Sequence, residues 1–128
     1  MPAGIIFETL SANALLDAMR VSIDVGVTES GGKLVLETTG DVEVSLHRFN
    51  APPSFPNAAS GTMTVNGLPI DDTSAAGGTV AQYSIFDRNN LKQFEGVVAV
   101  SGQDLDLSSL SVGVGDTVSL TAFSLSQT

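Results

Sequence analysis

The spacing of apolar residues changes once along this chain, near residue 26. Before it, Leu15, Leu16, Met19 and Ile23 recur at the 3.6-residue period of a helix, and Asn13, Asp17, Arg20 and Asp24 fall largely on the opposite, polar side. Ser11 is a candidate N-cap and Gly26 a C-terminal stop. The pattern predicts a helix over 11–25, regular to Ile23, whose end frays toward strand because Val21, Ile23 and Val25 also alternate.

Beyond Gly26 the period becomes two. Leu34 and Leu36 alternate across one run, and Val42, Val44 and Leu46 across the next, with Glu43, Ser45 and His47 pointing the other way. Thr38-Thr39-Gly40-Asp41 turns between them, so a hairpin is expected. Residues 50–61 cannot extend a ladder, because Pro52, Pro53 and Pro56 lack the amide hydrogen and fix φ. Met63 and Val65 mark a strand ended by Gly67 and Pro69, and a polar loop is expected from Asp71 to Gly78. Tyr83 and Ile85 then share a face with Ala81, and Asp87-Arg88-Asn89-Asn90 reads as a turn. Leu91 to Val100 returns as a strand with a bulge expected at Gly96, Leu105 to Leu107 adds a short piece, and Thr117 to Ser126 forms the last strand.

This reading predicts a mainly β fold, an antiparallel β-sandwich or flattened barrel with one N-terminal α-helix. It is a single domain over 1–128, with an arm over 1–10, the helix over 11–25 and the sandwich over 33–126. At 128 residues and 42% apolar content the chain can bury a core, and its lack of cysteine excludes disulfides and thiolate chemistry. Fourteen acidic residues against five basic ones give a net charge of −9. Arg20, Lys33, Arg48, Arg88 and Lys92 are scattered in sequence, so no basic stripe is expected, and neither nucleic acid nor an anionic membrane is an expected partner. The opening residues lack a basic stretch followed by a long apolar one, so no signal peptide is expected, and the chain is expected to be made in the cytoplasm.

Candidate chemistry is sparse. His47, the one histidine, is expected on the outward side of its strand, solvated or in an interface, with no Gly-x-Ser-x-Gly elbow to supply a nucleophile. Asp104 and Asp106 share a strand face and could act as a glycosidase-like pair, which needs carboxyls roughly 5–9.5 Å apart; simple alternation with Leu105 and Leu107 gives the same pattern. The loop at Asp87 fails the EF-hand pattern, because Lys92 and Val98 stand where Gly and Glu are required. Asp71-Asp72-Thr73-Ser74 is a weaker calcium candidate, and a solvated loop explains it as well. No cofactor, metal or catalytic residue is expected. Phe49 and Phe55 flank the prolines and either anchor that loop in a partner or cover this domain's own core. Few lysines blunt the sheet edges, which favours strands covered by other copies.

Four motifs follow one another in the second half. They are Gly77-Gly78-Thr79-Val80-Ala81-Gln82-Tyr83-Ser84-Ile85-Phe86-Asp87, then Phe94-Glu95-Gly96-Val97-Val98, then Gly102-Gln103-Asp104-Leu105-Asp106-Leu107, then Val114-Gly115-Asp116-Thr117-Val118-Ser119-Leu120-Thr121-Ala122-Phe123. With the Asn13-to-Ala18 helix and the Pro53-to-Asn66 stretch, this order resembles a family of small structural proteins of tailed-bacteriophage virions. The chain departs from it in the first hairpin, where Lys33-to-Gly40 replaces an Arg-Ile-Tyr-Asp-Gly-like strand, and at Tyr83, where a Trp or Phe is usual. The resemblance implies a virion component without catalytic residues, most simply a capsid decoration or cement protein that contacts the major capsid protein and copies of itself. A tail, baseplate or fibre component is the alternative, and a carbohydrate-binding module is a third reading. Ile5, Ile6 and Phe7 of the arm, with Phe49, Pro52, Pro53, Phe55 and Pro56 of the loop, are the expected contact residues. Each of the arm's three large apolar side chains would gain about 1.5–3 kcal/mol on burial.

Overall fold

Helix α1 runs Thr9–Asp24, so Ser11 lies inside the helix and is not its cap. The computed structural model describes residues 9–99, 105–106, 109–121 and 123–126; the arm residues Ile5, Ile6 and Phe7 lie outside that set. Leu16 and Ile23 are buried and Met19 is partly so, as the 3.6-residue stripe requires, but Leu15, expected in the same stripe, is exposed. The polar side of the helix does not simply face water. Asn13 Oδ1 accepts from the Gly61 amide (2.9 Å), Asp17 Oδ1 from Ala58 (2.8 Å) and Asp24 from Ser54 (3.2 Å). Arg20 Nη2 reaches Asn57 Oδ1 at 3.4 Å. Positions 13, 17, 20 and 24 form one stripe along the helix, and the loop runs antiparallel to it, its orphan amides satisfied in turn.

The strands are β1 (Lys33–Glu37), β2 (Glu43–Arg48), β3 (Thr62–Thr64), β4 (Ile70–Asp72), β5 (Gly78–Thr79) and β6 (Gln82–Phe86). They continue with β7 (Lys92–Ala99), β8 (Leu105–Asp106), β9 (Ser111–Val112), β10 (Val118–Leu120) and β11 (Ser124–Ser126). One five-stranded sheet has the order β2-β1-β6-β7-β8, and three two-stranded ribbons pair β4 with β10, β3 with β11 and β5 with β9. The predicted first hairpin is present as β1–β2. All described pairs are antiparallel except β7–β8. The core lies where Leu34, Leu36, Tyr83 and Ile85 of the sheet meet Met63, Ile70 and Leu120 of the ribbons, together with Leu16 and Ile23 of the helix.

Three expectations are corrected. Ile70–Asp72 is a strand, although it was expected to stay within a polar loop from Asp71; β10 gives it a partner. The final strand is two strands, because buried Leu120 and buried Phe123 are three residues apart, out of step with a period of two. The chain therefore passes from the β4 ribbon to the β3 ribbon between them. Gly96 is not a bulge. It sits opposite Tyr83, and a Cβ there would lie 2.5 Å from the tyrosine ring; the irregularity in β6–β7 falls instead between Ile85 and Phe86.

Gly31 makes a closer approach still. A Cβ on it would stand 2.4 Å from the Phe49 carbonyl oxygen and 2.8 Å from that of Asn50. Backbone cannot yield as a side chain can, so Gly31→Ala is expected to destabilise the fold by about 1–3 kcal/mol. Gly40→Ala, where the nearest atom is Thr38 Oγ1 at 3.8 Å, should stay within about 0.5 kcal/mol of the parent in chemical denaturation. Equal midpoints for the two variants would contradict this packing.

Candidate functional site

His47 is fully buried, which corrects its expected outward position. The cause is a register shift in β1–β2: Leu36 lies opposite Ser45, but Glu37 lies opposite Glu43, so Val44 is the extra residue of a bulge. One inserted residue moves the rest of the strand to the other face. Val44 and Ser45 are both buried, Leu46 turns partly outward, and His47 enters the core opposite Leu34.

Once inside, the imidazole is fully bonded. Its Nδ1 lies 2.9 Å from the Ile70 carbonyl and its Nε2 lies 2.9 Å from Ser45 Oγ. A carbonyl only accepts, so Nδ1 carries the proton and donates, leaving Nε2 to accept from the serine hydroxyl. The hydrogen bonds run in the direction of a catalytic serine–histidine pair, but the pair is sealed in the core: both Ser45 and His47 are fully buried, so no substrate atom reaches the serine hydroxyl. Burial pushes the His47 pKa below its ordinary 6.5, partly offset by the bond to Ile70 and by the Asp72 and Asp71 carboxylates.

The sign of the pH effect follows. The unfolded chain takes up a proton near pH 6.5 while the folded imidazole resists it, so this contribution to stability is full above that pH. It falls as the pH drops from there toward the lowered folded pKa. Urea midpoints compared above and below pH 6.5 should fall on the acid side in the parent, and fall less in His47→Gln; identical pH profiles would contradict the buried neutral histidine.

The aspartates singled out as candidate chemistry hold backbone in place. Asp72 Oδ2 accepts from the Leu46 amide (2.8 Å) and its Oδ1 from Ser74 (2.9 Å), while Asp71 takes the Ser119 hydroxyl. The Leu46 bond caps the outer edge of β2, and the Val44 carbonyl on that edge accepts from Ala76 (2.9 Å) and Gly77 (3.2 Å). Asp87 is buried and binds the amides of Asn89 (2.8 Å) and Leu91 (3.0 Å), which makes the predicted turn. Among the described residues no three His, Asp or Glu side chains converge as metal ligands. Asp104, and with it the expected Asp104/Asp106 pairing, lies outside the described residues.

Phe49 and Phe55 are buried in this domain's own core, and so are not exposed anchors. Their ring centroids are 5.9 Å apart, and Phe55 continues to Phe123 (6.2 Å) and Phe123 to Tyr83 (5.6 Å). The loop therefore plugs its own core. Only Pro52, Pro53 and Pro56 of the expected contact residues in this loop are exposed.

Other exposed apolar side chains lie where the sequence reading assigned no contact. Val27 is 90% exposed and Leu91 61%, on a tip where the 25–29 segment is tied to the 87–91 turn. The Arg88 amide donates to the Val25 carbonyl (2.9 Å), Glu29 to Arg88 (2.9 Å) and Val27 to Asn89 Oδ1 (3.2 Å). Val114, at 86%, stands on a turn held by the Gly113 amide to Asp116 Oδ2 (2.8 Å). In the sequence only the shared presence of Gly26, Asn89 and Gly115 at these turns hinted at them. A half-open groove of about 300 Å³ beside the second tip is lined by Val112 and Val118 together with Ser109, Ser111, Asp116, Thr117 and Ser119. Comparison with family models, with curated proteins and with solved structures finds no match. Among the described residues, no helix is long and apolar enough to cross a membrane.

Proposed function

We propose that this chain is a structural component of a bacteriophage virion, a decoration or cement protein seated on the outer shell. The observation that carries the reading is the display of Val27, Leu91 and Val114 on turns whose backbones are hydrogen-bonded in place. Rigid presentation lowers the ordering entropy of a contact, and exposed apolar side chains gain on burial. The polar groups that suggest chemistry, His47 with Ser45 and the Asp72 and Asp87 carboxylates, are engaged internally, which directs attention to the surface. The ordered motifs from Gly77 to Phe123 support the same reading through their resemblance to small virion proteins. An acidic chain suits an outer position, since the inner surface of a shell faces nucleic-acid phosphates. Weak contacts repeated over a lattice then add through multivalency.

Particles carrying a label on this chain distinguish the possible sites by imaging. Signal spread over the head with the symmetry of the shell is the expected result. A single locus at the tail would replace decoration by a tail role, and unlabelled particles would overturn the virion assignment.

A further inference from the structure

Four of the five cations that are scattered in sequence, all but Arg20, are gathered in space, contrary to the expectation of no basic stripe. Cross-strand register sets Arg48 opposite Lys33, Lys33 opposite Phe86 and Phe86 opposite Lys92. Directly opposed residues share a face, and four strands about 4.8 Å apart make a row of about 15 Å. The Lys33 ammonium lies 5.1 Å from the Phe86 ring centroid. Arg88 joins this end of the sheet through Glu29: its Nε donates to the Glu29 carbonyl (2.9 Å), and the Glu29 carboxylate meets Arg48 at 3.6 Å.

The other end of the same face is acidic. Glu37 lies opposite Glu43 on one side and Gln82 on the other. The Gln82 amide donates to both Glu37 (3.1 Å) and Asp41, and Glu37 also accepts from Ser84. Glu37 is buried beneath these groups, while Asp41 and Glu43 are exposed. The ion pairs among the described residues join Arg20 to Asp17, Arg48 to Glu29 and Lys92 to Glu95; none includes a member of this acidic trio, and only the Lys92 ammonium lies within longer electrostatic reach of Glu37 and Asp41. Opposed like charges are destabilising, and neutral donors relieve them only in part. Lys33 and Glu37 are both on β1, four residues or about 13 Å apart, so the face has two poles.

We infer that this face pairs with a second copy of the chain turned end for end, the basic row of each against the acidic trio of the other. A twofold axis running across the strands places β2 over β2 and β1 over β1. Arg48 then faces Glu43 of the second copy and Lys33 faces its Asp41; between the poles Val35 and Ser84 are already buried within the chain, and half-buried Leu46 is the residue of that row left for the contact. Because both poles occupy one face, a single isologous contact satisfies both and the pairing closes at two copies. A polyphosphate is the poorer occupant: Glu29 and Glu95 are interleaved with the row, and the chain as a whole is strongly acidic. This pairing deepens the functional reading above, on whose self-contacts it rests.

Sedimentation equilibrium of the full chain tests it. Dimers are expected at low salt and monomers near 1 M salt, where charge interactions reach only about 3 Å. Glu43→Lys is the decisive variant. It lowers the net negative charge, so general repulsion predicts tighter association, whereas the poles predict a dissociation constant raised about tenfold. The exposed control Ala14→Lys changes charge in the same direction away from the face and should not weaken the pair. The inference is overturned by monomers at low salt, by Glu43→Lys dimers as tight as the parent's, or by retention on duplex DNA without any dimer. Monomers in solution from a chain found in particles would remove this pairing and leave the virion reading intact. Dimers from a chain missing from particles would do the reverse.

Discussion

Phe55→Ala should lower the stability of this domain by about 3–5 kcal/mol, with a fall in melting temperature of about 10–20 °C. The ring is fully buried and stacks edge-on between Phe49 and Phe123, so its removal leaves a cavity and breaks two aromatic pairs at once. It also removes the plug that seats the 50–61 loop, leaving that segment to the polar side of the helix, where Asn13, Asp17 and Asp24 accept from its amides and Arg20 reaches Asn57. Pro56→Ala, one residue away and exposed, should change stability by no more than about 0.5 kcal/mol. Differential scanning calorimetry of the two variants separates the alternatives cleanly. A Phe55→Ala protein as stable as the parent would mean that the ring serves a partner and not this core.

The second large effect is expected at His47. Truncation to alanine leaves the Ser45 hydroxyl and one acceptor site of the Ile70 carbonyl without their partner, inside a core where an unsatisfied polar group costs about 1–3 kcal/mol. With the cavity included, His47→Ala should cost about 3 kcal/mol or more. His47→Gln retains a donor and an acceptor and should recover part of that loss. If alanine and glutamine destabilise equally, the two hydrogen bonds contribute little and volume alone sets the cost. If neither destabilises, the bulge at Val44 does not turn the strand as described.

That bulge marks the boundary of what the residues reveal. Period-two alternation correctly placed Leu34, Leu36, Tyr83 and Ile85 in the core, because β1 and β6 pair with each other without a break in register. It misplaced His47 because one inserted residue has no signature of its own in the local pattern: Val-Ser-Leu-His reads as a regular alternation with Val44 and Leu46 inward, and the shift of phase shows only in the pairing with β1. The 3.6-residue stripe found the buried side of α1, yet read Asn13, Asp17 and Asp24 as solvated. Their partners are amides 30 to 48 residues away, beyond any local window. The same distance hid the β4–β10 pairing, in which a strand of three residues is stabilised only by a partner near the far end of the chain.

The candidate surface was legible in part. Exposed prolines at 52, 53 and 56 follow from their exclusion from sheet ladders. Phe49 and Phe55 carried two equal readings, and only the packed core chooses between them. The charge poles were invisible in sequence, since Lys33, Arg48 and Lys92 become neighbours only through the register of four strands. Aspartates at loops give a common explanation for the acidic composition. Asp17, Asp24, Asp72, Asp87 and Asp116 each accept from a main-chain amide, so much of the surplus negative charge organises turns.

The most direct test of a role in the virion is the protein content of purified particles, quantified by mass spectrometry against the shell subunit. A protein held on the outer surface by repeated contacts should be recovered in a fixed, near-stoichiometric ratio to that subunit, and should survive gradient purification. Particles that are infectious and complete yet contain none of this chain would contradict the account.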